Sequence, residues 1–393
     1  MIEFNSMCTG CGACVQICPK SAIHWIKKEF DFLYPEVDEN LCVKCGLCEK
    51  VCPIDKNLVN PTIQKAYAAV NTDADVLQNS TSGGAFIAIA ETVLNKGGIV
   101  YGCIMDEDFK VCHTRCTKKD DLQKCMGSKY VQSDINITYR LAEHDLKSGL
   151  SVLFSGTPCQ IAGLYGYLQK RYENLITIDI VCHGVGSQGY FDKYLQFEKQ
   201  RRNGSLKEIR FRSKRYVGWS CGGVVVVAPR GNEMTRKYKP YFNYDNYYYS
   251  YFLSGDIYRQ SCYSCKYANL IRQGDFTLGD FWGVESLDLG IETSKGCSLL
   301  IANSKKAIDF LSLVTDKLQC IEVDINDAAR KNGQLRAPSK KSKIRSQLLE
   351  EYKKYSANEI QRLYKRRNRK GICLGIIKRY MPYSLRRVLR KYH

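Results

Sequence analysis

The chain has 393 residues, of which 44% are hydrophobic and 25% charged, an ordinary mix for a globular protein of two or three domains. Its 20 cysteines do not suit the disulfide framework of a secreted protein, because the opening MIEFNSMC has neither a basic n-region nor an apolar core. The formal net charge of +19 is uneven: residues 340–393 hold 18 Lys plus Arg against 3 Glu, a net of +15, so the body is close to neutral.

The first 58 residues hold two cysteine runs. They read Cys8-x2-Cys11-x2-Cys14-x3-Cys18-Pro19 and Cys42-x2-Cys45-x2-Cys48-x3-Cys52-Pro53. This is the spacing of a two-cluster bacterial ferredoxin. Three thiolates of one run wrap a 4Fe–4S cubane, and the fourth comes from the opposite run. One cluster is expected on Cys8, Cys11, Cys14 and Cys52, the other on Cys42, Cys45, Cys48 and Cys18. Gly10, Gly12, Ala13 and Gly46 are small enough to bring amides close to the sulfides. The competing reading is a pair of zinc sites, although zinc ligands usually come as two separated pairs.

Asn60-Pro61 marks a linker. KAYAAV (65–70) predicts a strand, and STSGGAFIAIAETVLNKGG a loop, a helix and a glycine stop. Phe86, Ile89, Ala90 and Val93 share one helical face. IVYGCIMDEDFKVCHTRC predicts a hairpin about Asp106–Asp108. Ser148–Gln169 is 22 residues without a charge, long enough to raise a membrane span. Its Pro, Gln and Gly content favours a buried strand, a turn and a helix. LITIDIVCHG, GGVVVVAP, TLGDFWG and SLLIAN predict further strands. Strands and helices alternate, so the fold class is α+β or α/β: a ferredoxin-like module of two 4Fe–4S clusters, then a mixed α/β domain.

Several separated motifs carry a family resemblance: Ser80-Thr81-Ser82-Gly83-Gly84, Gly127-Ser128-Lys129-Tyr130-Val-Gln-Ser133, Gly156-Thr-Pro-Cys-Gln160, Cys182-His-Gly184, Cys262-x2-Cys265 and Gly279-Asp-Phe-Trp-Gly283. In this order they resemble the coenzyme F420 hydrogenase/dehydrogenase beta subunit family. Between the cysteine-run module (1–58, ferredoxin) and the basic amphipathic tail (336–393), the resemblance divides the chain into 62–145 (N-terminal flavin-binding region) and 146–335 (C-terminal region with a third cluster). It implies FAD beside a third 4Fe–4S cluster. Ser80–Gly84 opens a helix, where free amides favour a phosphate, though simple helix capping explains the same residues. Gly127, Ser128, Lys129 and Tyr130 join the expected flavin site, with Lys129 near the pyrophosphate or reduced flavin. Cys159, Cys182, Cys262 and Cys265 form the expected third ligand set, the alternative being two core thiols and a zinc-binding pair. His183 is the candidate proton donor, or a structural histidine. Cys103, Cys112, Cys116, Cys125, Cys221, Cys297, Cys320 and Cys373 receive no role.

The resemblance implies an iron–sulfur flavoprotein oxidoreductase linking a ferredoxin- or F420-type carrier to a two-electron substrate. The alternatives are an F420-linked input subunit of a larger complex, and an electron carrier docked to a membrane machine. A cytoplasmic address is expected. The tail carries KRRNRK (365–370), then apolar residues interleaved with cations, with Pro382 splitting the segment. It suits peripheral contact with the inner face of the membrane, or packing on the body or a partner. Nucleic-acid binding is disfavoured, since no recognition fold accompanies the charge.

Overall fold

The computed structural model describes residues 5–54, 56, 64–202, 206–214, 218–219, 225–227 and 246–380. Each cysteine run turns into a five-residue helix, Ala13–Ile17 (α1) and Leu47–Val51 (α2). Both are entered through a glycine of positive φ, Gly12 at 79° and Gly46 at 73°, a conformation that costs a side chain energy. Between them Ile23–Lys27 (β1) and Leu33–Val37 (β2) pair antiparallel, with Ile23 opposite Val37.

The rest of the body is built on one sheet. Its strands are Lys65–Asn71 (β3), Ile99–Met105 (β4), Val111–Cys116 (β5), Val152–Gly156 (β6), Leu175–Ile180 (β7), and then, beyond the short pair Glu208–Arg210 (β8) and Val225–Val227 (β9), Phe276–Asp280 (β10), Ser298–Ala302 (β11) and Leu318–Val323 (β12). Their order is β12-β3-β11-β10-β7-β6-β4-β5. β10, β7, β6 and β4 run parallel, and the outer pairings are antiparallel. The fold is therefore a ferredoxin-like module on a mixed α/β body, as the patterning predicts.

Most predicted elements appear. β4 and β5 are the expected hairpin, and the chargeless segment 148–169 becomes β6 and the helix Pro158–Leu168 (α7). No helix among the described residues is long and apolar enough to cross a membrane. The helix Ala85–Asn95 (α4) buries more than one stripe: Ile87 and Ala88 are buried with Ile89, Ala90 and Val93, while Phe86 is only half-buried. A helix lying on a sheet buries such a wide face. Of GGVVVVAP only Val225–Val227 is described, and Asn60-Pro61, Cys221 and Pro382 lie outside the described residues.

Two of the expected boundaries divide what the structure joins. Strands from 62–145 and 146–335 share one sheet, because β6 pairs with β4. The start of the basic tail is likewise packed. Arg345–Lys354 and Ala357–Arg367 are helices whose Leu348, Ile360 and Tyr364 are buried. Their cations are used internally: Arg345 pairs with Glu29 at 2.7 Å, and Arg367 pairs with Glu351. Charge counting alone could not separate these internal cations from exposed ones.

The module is fastened to the body by directed bonds. Gln16 Oε1 accepts from Tyr139 N at 3.1 Å, and Arg140 Nε donates to Gln16 O at 2.6 Å. Lys266 Nζ donates to the carbonyls of Pro53, Ile54 and Lys56, each at 2.7 Å. Two glycines of α7 make the seat. A Cβ on Gly163 would come within 2.8 Å of Cys11 Cβ, and one on Gly166 would press into the Val51 carbonyl.

Candidate functional site

Two cavities, each of about 40 Å³, are lined by cysteines. The first is lined by Cys8, Cys11, Cys14 and Cys52, with Gly10, Gly12, Trp25 and Pro53. Three of the four thiols come from the first run and the fourth from the second. This is the grouping expected from the spacing. Of the second expected set, Cys18 and Cys48 pack on the core around Val51 and Leu164, Cys42 is half-buried and Cys45 is exposed.

The second cavity gathers Cys159, Cys182, Cys262 and Cys265 from three distant segments. Cys159 lies in the first turn of α7, straight after β6. Thr157 caps that helix, with its N–H donating to Gln160 Oε1 at 3.0 Å, and its hydroxyl lies 3.1 Å from Cys159 Sγ. Cys182 follows the carboxyl end of β7. Cys262 and Cys265 ride on the segment leading to β10, which is pinned by a buried ion pair. Arg272 Nη2 meets Asp179 Oδ1 at 2.8 Å, and the other Asp179 oxygen accepts from the amides of Gln273 and Gly274.

Burial sets the chemistry of these thiols. It pushes Cys11 up to about 12, Cys159 up to about 11 and Cys262 up to about 12. Neighbouring cysteines raise one another further, Cys8 and Cys52 acting on Cys11, and Cys262 and Cys159 on Cys182. Four buried thiolates are stable together only around several positive charges. Four-iron cubanes supply these. No three His, Cys, Asp or Glu groups among the described residues converge tightly enough for a single metal ion. A cubane differs in holding its thiolates at separate corners.

The two cavities share a wall, since Thr9 lines both. Beside it lies Arg259, 1% exposed. Its Nε donates to Cys8 O at 2.7 Å and its Nη2 to Cys8 Sγ at 3.8 Å, while Nη1 donates to Gln132 Oε1 at 3.1 Å. Its charge also lowers the pKa values of Cys159 and Cys262. Sequence reasoning missed this residue, since nothing sets it apart from the other 58 Lys and Arg.

The expected flavin residues are arranged differently from a phosphate cradle. Ser80 is buried at the end of a short helix. Thr81 Oγ1 accepts from Ser128 N at 3.1 Å, Ser82 Oγ donates to Cys297 O at 2.8 Å, and Gly83 N donates to Ser298 Oγ at 2.9 Å. A Cβ on Gly83 would strike the backbone of Ala69 and Ser298, and one on Gly84 would come within 2.9 Å of Asn71 Cβ. These glycines let the loop lie against β3 and β11. The close approach is to the protein's own strands, and the Gly83 amide has no donor left for a phosphate. The Lys129 ammonium donates to the carbonyls of Lys124, Cys125 and Met126 at 2.9, 3.0 and 2.9 Å, which uses its three protons. Burial lowers its pKa from the ordinary value. Tyr130 stacks on Phe252 at 4.5 Å, and Gly127 has positive φ with open space beside it. His183 is exposed and lines the second cavity; its carbonyl accepts from Ser339 Oγ at 2.6 Å.

The fold and the paired cysteine runs define an iron–sulfur protein. Residues 7–56 match the 4Fe-4S dicluster domain. Residues 66–137 match the N-terminal model, and residues 149–328 the C-terminal model, of the coenzyme F420 hydrogenase/dehydrogenase beta subunit. The chain belongs to that family. Among solved structures, it is similar to a chain of the xenon-derivatised F420-reducing NiFe hydrogenase complex from Methanosarcina barkeri. The identity is 16%, with 71% of this chain and 91% of that chain covered, at a TM-score of 0.45. No curated protein matches the chain.

Proposed function

We propose that this chain is an electron-transfer oxidoreductase subunit with three 4Fe–4S clusters. Cys8, Cys11, Cys14 and Cys52 hold one, Cys42, Cys45, Cys48 and Cys18 a second, and Cys159, Cys182, Cys262 and Cys265 a third. Such clusters supply one-electron carriage at low potential. What carries the reading is the shared Thr9 wall between two four-cysteine cavities, with the α7 glycines holding the module flush on the body. Residues on the wall have defined work. Arg259 offsets thiolate charge on both sides, and its bonds to Cys8 and Gln132 keep the two sets in fixed register. Arg272 and Asp179 hold the Cys262–Cys265 segment. The exposed end of the path is the second run, where Cys45 lies at the surface, and there a ferredoxin- or F420-type carrier docks. A cytoplasmic address accords with a cluster thiol exposed at Cys45, which oxidising compartments would not spare.

FAD enters this proposal through the family alone. The Ser80–Gly84 loop does not fit it as a phosphate cradle, because the Gly83 amide and the Ser82 hydroxyl are already bonded within the protein. Extraction of flavin from anaerobically purified protein decides between two readings. Stoichiometric FAD makes the chain a flavoprotein oxidoreductase with its own two-electron chemistry, and lack of it leaves an electron-transfer subunit serving a partner. The clusters are tested by iron analysis, with about 12 irons per chain expected from three clusters. Cys262→Ser should remove about four of these and leave the ferredoxin-type signals unchanged. About eight irons in the unaltered chain, or a full complement in the variant, would refute the third cluster.

A further inference from the structure

The hairpin and the helix after it bring together two cysteines that belong to none of these sets. Cys116 ends β5, and Cys125 ends the helix Lys119–Cys125 (α5). Their sulfurs are 3.6 Å apart. Cys116 has no exposure, whereas Cys125 is half-buried and can be reached. The room for Cys125 is made on the neighbouring strand: a Cβ on Gly102 would come within 2.7 Å of its sulfur. Nearby stands the Lys129 ammonium, held by the carbonyls of residues 124–126.

We propose that Cys116 and Cys125 are a reversible dithiol–disulfide couple that exchanges with a low-molecular-weight disulfide. A disulfide bond is about 2.05 Å long, so closure asks for only about 1.5 Å of approach. The chemistry of the pair favours exchange. Either sulfur can donate its S–H to the other, and loss of one proton from the pair leaves the thiolate nucleophile that exchange needs.

The exchange balances in atoms and electrons. Cys125, the accessible sulfur, loses its proton to solvent and attacks the small disulfide RSSR as the thiolate. The S–S bond of RSSR breaks, and RS⁻ leaves with a Cys125–S–S–R bond formed. RS⁻ takes up a proton from solvent and becomes RSH. Cys116 then loses its proton and attacks the Cys125 sulfur, forming the internal disulfide and expelling the second RS⁻, which takes up a proton to become RSH. Two electrons pass from the protein pair to RSSR. Closure draws in the end of α5, which carries the carbonyls around Lys129, and Ser128 beside it bonds Thr81. The redox state of the pair thus bears on the geometry of segment 124–130.

The test uses the full-length protein, purified without oxygen and with its clusters in place. It is equilibrated in graded mixtures of glutathione and glutathione disulfide, quenched in acid, alkylated and peptide-mapped. The expected result is a Cys116–Cys125 cross-link that grows with the disulfide fraction and disappears with excess dithiothreitol. In Cys116→Ser a glutathione adduct should accumulate on Cys125, and in Cys125→Ser adducts on Cys116 should be at least tenfold fewer. The wild-type map alone can overturn the proposal, whatever the variants do. Free thiols at both positions in the most oxidising mixture would sink it, as would a dominant cross-link from Cys125 to Cys103.

Discussion

Arg259 donates through Nη2 to Cys8 Sγ at 3.8 Å and through Nε to the Cys8 carbonyl at 2.7 Å. A buried cation bonded to a thiolate stabilises added positive charge poorly and added negative charge well, so it favours the reduced state of any cluster on that thiolate. Arg259→Lys keeps the charge and loses the fork. One of the cluster signals should move to lower potential in an EPR-monitored redox titration while the others stay in place. Unchanged potentials throughout would mean that the guanidinium serves docking only.

The docking face itself makes a second prediction. Gly166→Ala gains roughly 1 kcal/mol of helix propensity. The added methyl must also push into the Val51 carbonyl, which belongs to backbone and cannot swing away. Overpacking of this kind costs roughly 1–3 kcal/mol, so the steric term wins. The variant should unfold at lower temperature, and limited proteolysis should cut faster between the module and the body. A rise in melting temperature would show that the module rides loosely on α7.

How much of the site is legible in the sequence depends on the range of each relationship. The first-run cysteines are legible because their ligand geometry is written in three-residue steps. Cys159, Cys182, Cys262 and Cys265 are legible through short motifs at strand ends, although only the sheet order β10-β7-β6 brings them together. Arg259 is illegible, because its role depends on contacts with Cys8, 251 residues away. Gly83 and Gly84 stand out in the sequence, but the backbone they approach belongs to β3 and β11 and not to a ligand. The Cys116–Cys125 contact needs both the β4–β5 register and the turn into α5, and cysteine spacing records neither.

His113 is 3% exposed, with Nδ1 at 2.6 Å from Ser133 Oγ and Nε2 at 2.8 Å from Ser155 O. A neutral ring satisfies both: Nε2–H donates to the carbonyl and Nδ1 accepts from the hydroxyl. Burial lowers its pKa from 6.5 to about 4. The unfolded chain therefore binds a proton that the folded chain refuses between these values. Stability is full above about 6.5 and falls as the pH drops toward 4, by ~3 kcal/mol for this group alone. His113→Gln removes the titration. Its denaturant midpoint should be lower than wild type at pH 7.5, and the gap should narrow at pH 4.5. A constant gap across that range would mean that the ring is charged in the fold.

The last prediction concerns the C-terminal segment and where to cut it. A chain ending at Ser339 would lose the buried Leu348, Ile360 and Tyr364. Each large apolar side chain contributes about 1.5–3 kcal/mol when fully buried. Their combined loss rivals the whole stability of a typical domain, roughly 5–15 kcal/mol. That truncation should unfold the protein and report nothing about membranes. A chain ending at Asn368 keeps both packed helices and removes residues 369–393, including Arg369–Tyr380, where Leu374 and Ile377 are each 58% exposed. The removed residues carry eight Lys plus Arg and no acid. At about 1 kcal/mol per cation near an anionic surface, even half of them hold a protein peripherally. The full chain should co-sediment with phosphatidylserine-containing vesicles and be released by high salt, and the chain ending at Asn368 should stay in solution, folded, with a melting temperature lowered only by the loss of Ile372 from the core edge. If both sediment alike, or neither does at low salt, the segment is not a membrane anchor.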